Sequence, residues 1–226
     1  MQNIPVIAID GPSASGKGTV AELVAKALGF HYLDSGALYR LVALAALRAH
    51  VPWSDESRVA DLAAKLDARF EQGNIFLDNK EVTNDIRSET CSVGASQVAI
   101  LPAVRTALLD RQRAYAQPPG LVADGRDMAS VVFPAASLKV FLTADLETRA
   151  DRRHKQLKQK GITANIDALL KDLRERDERD SSRSVAPLKR SPGAHWLDTS
   201  ALTAEQAAGR VLEWYGEGSG GRPQSR

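Results

Sequence analysis

The chain has 226 residues, 43% of them hydrophobic, enough to bury one sizeable core with room for a small nested insertion. A net charge of only +2 gives no global argument for nucleic acid or anionic lipid as a partner, and the single cysteine, Cys91, excludes an intrachain disulfide framework. One cysteine suits a reducing compartment, and the first apolar run, Ile4 to Ile9, is too short for a membrane span and lacks the flanks of a signal peptide, so a cytoplasmic protein is expected.

Val6-Ile7-Ala8-Ile9 is an unbroken apolar run closed by Asp10-Gly11, which predicts a strand buried on both faces. After a glycine-rich turn, Ala21, Leu23, Val24, Ala27 and Leu28 recur at helical spacing until Gly29 stops them. Tyr32-Leu33-Asp34 predicts a second strand, and Ala37 to Ala49 a helix with Leu38, Leu41, Val42 and Leu44 on its core face. Helical patterns over Glu56 to Ala68 and Glu89 to Ile100 flank an extended stretch, Arg69 to Val82. Its turn signals, Gly73-Asn74 and Asp78-Asn79, predict a small antiparallel hairpin. Pro102 opens a helix running to about Ala116, and Pro118-Pro119-Gly120 closes it.

Leu121 to Asp124, Leu138 to Leu142 and His195 to Asp198 supply three more strands, and a last helix starts at a capping box, Thr203 with Gln206. Strands alternating with helices predict an α/β fold, a parallel sheet covered by helices on both faces. Residues 217–226, rich in Gly and Ser, read as a flexible tail. From Arg149 to Arg190, eight Arg and five Lys stand against five Asp and two Glu. Such a segment is either a solvated helical surface, a polyanion-binding face or the lining of a phosphate site.

The strongest signal, Gly11-Pro12-Ser13-Ala14-Ser15-Gly16-Lys17-Gly18-Thr19, is a phosphate cradle. It has the spacing of a phosphate-binding loop, with Gly18 where Ser or Thr is usual and Thr19 one residue later. It follows an apolar strand and opens an amphipathic helix, so backbone N–H groups, the helix dipole and the Lys17 charge converge on one anion. Ser35, after Leu33-Asp34, either caps a helix in the ordinary way or receives an anion, and Arg40 one turn on favours the second. Arg126 and Asp127 close a predicted parallel strand at its carboxyl end, where open α/β sheets bind ligands.

There, Arg126 suits a bidentate phosphate contact and Asp127 can accept a hydrogen bond from an exocyclic amine; the plainer reading of Asp127 is a salt-bridge or turn residue. Arg176, Asp180 and Arg183 fall on one helical face, where an exposed salt-bridge ladder is the stronger reading taken alone, and Arg149 and Arg153 fall on another, equally readable as a solvated face. The four histidines show no zinc-ligand spacing.

Gly-Lys-Gly-Thr at 16–19 resembles the loop of the nucleoside monophosphate kinases. With Asp10-Gly11-Pro12-Ser13, Leu33-Asp34-Ser35-Gly36 and Asp124-Gly125-Arg126-Asp127, the chain most resembles the bacterial cytidylate kinases over most of residues 4–215. That resemblance implies a P-loop kinase three-layer fold over residues 1–216 with a five-stranded parallel sheet. It further implies a nested monophosphate-binding insertion at about 61–90 and a lid at about 153–165. It implies ATP as phosphoryl donor with Mg²⁺, CMP and dCMP as acceptors, and no nucleic-acid or membrane partner.

By the same resemblance Arg149 and Arg153 lie against ATP, and Ser96, Arg105 and Asp127 contact cytosine. Arg176 and Asp180 contact the ribose, and Arg183, with Lys17, Arg126 and Arg153, the transferring phosphoryl group. The metal ligands are not legible, Thr19 and Asp124 being candidates only. A monomer is expected because no heptad seam is visible. Rival readings are a kinase for another monophosphate such as UMP or AMP, a nucleotide switch without a small acceptor, and an RNA-binding protein, the last opposed by 5% aromatic content.

Overall fold

A computed structural model describes residues 4–71, 73–159, 161–183 and 185–219. The chain divides into two compact units, Met1–Leu33 with Tyr115–Arg226, and Asp34–Ala114.

The first unit is built on a five-stranded parallel sheet of strand order β2-β6-β1-β7-β8, with β1 Val6–Asp10, β2 His31–Asp34, β6 Leu121–Gly125, β7 Leu138–Thr143 and β8 His195–Asp198. All five residues of β1 and all five of β6 are buried, as near-continuous apolar runs in central parallel strands require. The strands start within a residue or two of the sequence expectation.

Helix α1 (Lys17–Leu28) packs with α8 (Ala204–Ser219) over one face, where Val20, Ala21, Val24, Ala207, Ala208 and Val211 meet Ile7, Ile9, Val122 and Val140. α1 ends in a Schellman turn: Gly29 has φ 66°, and the Phe30 N–H bonds to the Ala25 carbonyl at 2.9 Å. α8 starts on the expected capping box, Gln206 N–H to Thr203 Oγ1 at 3.2 Å and Thr203 N–H to Gln206 Oε1 at 2.9 Å. The helix then continues to Ser219, correcting the expectation of a tail from 217. Gly216 and Gly218 cost about 1 kcal/mol each relative to Ala, too little to stop a helix already anchored by its buried face. Residues 220–226 lie outside the described residues. α6 (Leu146–Gln159) and α7 (Ile166–Ser182) pack against each other and carry most of the basic stretch.

In the second unit α2 (Ser35–Arg48) buries nine of its residues and packs with α3 (Glu56–Ala64) and α4 (Glu89–Val98), while α3 packs with α5 (Pro102–Arg113). The predicted hairpin is a three-stranded antiparallel sheet, β3 Ala68–Glu71, β4 Asn74–Leu77 and β5 Lys80–Glu81. Asp78 and Asn79, at φ 51° and 62°, form the tight turn that joins β4 to β5. The unit extends beyond 61–90 because α2 packs with α3 and α4, and α3 with α5, the small sheet following α3 in the chain. The helical pattern drawn to Ala68 ends at Ala64, where Lys65 caps it and the chain turns into β3. Among the described residues no single helix is long and apolar enough to cross a membrane.

Candidate active site

The strand order places a topological switch between β1 and β6: the chain leaves β1 toward β2 on one side and leaves β6 toward β7 on the other. Asp10 pairs with Gly125, so the two strands end level. The glycine-rich loop, Gly11 to Gly16, and Arg126-Asp127 therefore leave the sheet side by side. Asp10 ties them together, its two carboxylate oxygens accepting the Met128 and Ala129 N–H groups at 2.8 and 2.9 Å.

Burial pushes the Asp10 carboxyl up to about 6 against the opposing effect of those two N–H bonds. A raised folded value means that the native chain holds this proton more tightly than the unfolded one. Its effect on stability therefore falls as pH rises from about 4 to about 6 and is level above that. An Asp10→Asn chain should lose this slope, which corresponds to about 3 kcal/mol at most. Urea unfolding of both proteins between pH 4 and 7 checks it: parallel curves would refute the assignment.

Two glycines are dictated by the loop. A Cβ on Gly11 would run into the carbonyl oxygen of Leu142, and Gly16 has φ 91°. The carbonyls of Pro12, Ser13 and Ser15 are engaged. That of Pro12 accepts from Ser15 Oγ at 3.0 Å and Lys17 Nζ at 3.3 Å, that of Ser13 from Arg149 Nη1 at 3.3 Å, and that of Ser15 from Arg152 Nη1 at 3.1 Å and Thr199 Oγ1 at 3.0 Å. Ala14, at φ 58°, lies on the same turn. Thr19 is exposed on α1, whereas the carboxylate of buried Asp124 lies 3.2 Å from where a Gly18 Cβ would stand. Gly18 thus leaves room for Asp124 beside the loop.

Arg126 donates through Nη2 to Ser13 Oγ at 3.1 Å and through Nε to Asp180 at 2.8 Å. Arg183 Nη2 lies 4.0 Å from the other oxygen of Asp180. Burial pushes the Asp180 carboxyl up, but Arg126, by charge and hydrogen bond, followed by Arg176 and Arg183, outweighs it and holds the group below its ordinary 3.8. The three residues read at helical spacing therefore form a cluster on Arg126. Asp127 is buried, and its backbone carbonyl accepts the Val131 N–H at 2.9 Å in the π-helical turn Met128–Val132.

Arg149 is buried and uses four of its five N–H groups on Asp177 (3.0 and 2.6 Å), the Ser13 carbonyl and the Ala144 carbonyl. Its neighbour at the expected spacing, Arg153, is only partly buried on α6. Local reading missed Asp177, Arg152 and Thr199. The first two stand three residues before Asp180 and three after Arg149, a helical spacing that marks a shared face; Thr199 carries no such signal.

Within the second unit, buried Ser35 opens α2 behind the Asp34 cap, whose Oδ1 accepts the Ala37 N–H at 3.0 Å. Arg40 is oriented by the Ile86 carbonyl at 2.9 Å and Ser92 Oγ at 3.3 Å. Arg105 donates to the Ala99 carbonyl at 3.2 Å and lies 5.9 Å over the Tyr39 ring, while Ser96 is half-buried on α4.

A family model described as cytidylate kinase matches residues 7–217. The chain belongs to the cytidylate kinase family. A cytidylate kinase from Chromobacterium violaceum is 56% identical over 214 residues, 95% of this chain and 96% of that protein. One from Bordetella pertussis is 59% identical over 211 residues, 93% and 95% of the two chains. A solved structure of an uncharacterized protein from Eubacterium ventriosum superposes with a TM-score of 0.53 over 95% of this chain and 99% of its own, at 13% identity, a likeness of fold alone. As a member of the cytidylate kinase family the chain is a nucleotide-binding transferase of the kinase class.

Proposed function

We propose that this chain transfers the terminal phosphoryl group of ATP to the phosphate of CMP and dCMP, giving the diphosphate and ADP. The reading is carried by the level ending of β1 and β6, with the phosphate loop on one and Arg126-Asp127 on the other, in a chain of the cytidylate kinase family.

Two strongly anionic reactants must be brought into line, so positioning and charge neutralisation dominate the barrier. Residues Gly11 to Thr19 cradle the ATP phosphates, with Lys17 supplying charge to the transferring group. Arg126, Arg153 and Arg183 neutralise the charge that passes between the reactants. Arg149, held to Asp177, serves ATP from beneath the loop through the Ser13 carbonyl. Mg²⁺ needs few protein ligands, and the Asp124 carboxylate beside Gly18 fits one of them; when bound, the ion neutralises phosphate oxygens.

On the acceptor side Arg126 takes the monophosphate, with Ser35 and Arg40 assigned to the same group, and Arg176 and Asp180 take the ribose. Asp127, Ser96 and Arg105 contact cytosine. A carboxylate accepts from the cytosine N4 amine and repels the O4 of uracil, which is why Asp127 favours CMP. The acceptor oxygen is already anionic near neutral pH, so no side chain removes a proton from it. Residues 153–165, of which Lys160 lies outside the described residues, form a lid that excludes water and so prevents hydrolysis of ATP. The enzyme acts as a cytoplasmic monomer without nucleic-acid partners.

The test is to supply Mg·ATP with CMP, dCMP, UMP, AMP and GMP separately and to record ADP with the matching diphosphate. Transfer chiefly to CMP and dCMP is expected. Asp127→Asn should lower kcat/KM for CMP and narrow its advantage over UMP by about 10- to 100-fold, the worth of a specific base contact. Preference for another monophosphate would overturn the base assignment, and ATP hydrolysis indifferent to acceptor would overturn the transfer reading.

A further inference from the structure

We infer that Arg152 and Thr199 are positioning residues for ATP: together they hold the Ser15–Gly16 peptide of the phosphate loop in the orientation that presents its N–H to the anion. The inference rests on ATP occupying the loop, as proposed above.

A trans peptide is planar, so its carbonyl and N–H point in opposite directions. Fixing the Ser15 carbonyl therefore fixes the Gly16 N–H. Two donors reach it, Arg152 Nη1 at 3.1 Å and Thr199 Oγ1 at 3.0 Å; the Thr143 carbonyl is also 3.0 Å from that hydroxyl, but it already accepts the Thr199 N–H, which leaves the single hydroxyl proton for Ser15. These two donors also lock each other. Arg152 Nη1 donates to Thr199 Oγ1 at 3.1 Å and Nη2 donates to the Thr199 carbonyl at 2.6 Å, so the arginine fork grips Thr199 at both ends. Thr199 is itself pinned to β7, its N–H bonding to the Thr143 carbonyl at 2.8 Å.

The rigid sheet thus reaches the loop through two side chains, and Thr199 is only 3% exposed, so water does not substitute for its hydroxyl. Gly16, at φ 91°, has no Cβ to restrict this peptide from its own side. Without the two donors the peptide is free to rotate, and an inverted carbonyl would face phosphate with its negative end. Successive N–H groups make an anion nest only while all point one way.

Thr199→Val removes the hydroxyl without changing charge or volume appreciably and is the decisive variant. Mg·ADP and Mg·ATP binding, by calorimetry without acceptor, should weaken about tenfold, the worth of one well-placed hydrogen bond. In turnover KM for ATP should rise while KM for CMP stays within twofold of wild type. Thr199→Ser, which restores the hydroxyl, should recover nucleotide affinity. Arg152→Met should resemble Thr199→Val, and the double variant should be no worse than the poorer single one, because both act through one carbonyl.

Equal nucleotide affinity of Thr199→Val and wild type, or a loss that Thr199→Ser does not restore, would overturn the inference, as would equal rises in KM for both substrates. If Thr199→Val does not fold, Arg152→Met carries the same comparison of the two KM values. Wild type that fails to bind Mg·ATP at all would instead refute the proposed function.

Discussion

A Lys17→Met chain is expected to fold as the wild type does and to phosphorylate CMP about 10³-fold more slowly, the scale on which removal of one preorganised transition-state donor is felt. Lys17 opens α1 immediately after the loop, and its Nζ lies 3.3 Å from the Pro12 carbonyl. That carbonyl also receives Ser15 Oγ, so the loop retains a donor there when the lysine is removed. The core of α1, made by Val20, Ala21, Val24 and Ala25, is on other residues. Loss of Lys17 therefore separates chemistry from stability: kcat collapses, the melting temperature does not move, and KM for CMP changes little. Steady-state rates and a thermal melt on the same preparation check it. A fall of less than tenfold in kcat would mean that the arginines alone carry the charge of the transferring group.

Where function depends on local order, it was legible. Five consecutive apolar or closing residues at Val6–Asp10 predict a two-sided buried strand, and glycines at 11 and 16 announce a tight turn with close backbone approach, though not that Leu142 is what Gly11 approaches. Gly29 and the Thr203–Gln206 box mark helix ends by backbone chemistry that acts within a few residues. Tertiary pairing leaves no such mark. The spacing of Arg149 and Arg153 points to a common helical face, yet nothing near them says that Asp177, on the next helix, takes up Arg149. Thr199 meets Ser15 across 184 residues of sequence, a distance at which only the sheet order can bring the two together. The extent of the second unit was similarly hidden, since it depends on which helices α2 buries itself against.

Asp180→Ala should be the most destabilising of the single changes at the site, by about 3–5 kcal/mol, because it leaves buried cations without their carboxylate. The side chains of Arg126 and Arg183 are only 17% and 6% exposed, so water cannot take over the role. Asp180→Asn, which keeps the shape and one acceptor, should fall between Ala and wild type. The sign of the pH dependence follows from the depressed carboxyl. A folded value below 3.8 means stability that is present in full above about pH 4 and lost as pH falls through the folded value, so the gap between wild type and Asp180→Ala should close in strong acid. Denaturant unfolding at pH 7 and at pH 2.5, on either side of the ordinary carboxyl value, measures the narrowing. A gap that persists undiminished at pH 2.5 would show that packing, not charge, holds the site. Adding Arg126→Met to Asp180→Ala should return part of the lost stability, since it removes one of the stranded cations, yet it should restore no activity. The ion pair keeps Arg126 on Ser13 at the mouth of the loop, and an uncharged side chain there has nothing to offer a phosphate.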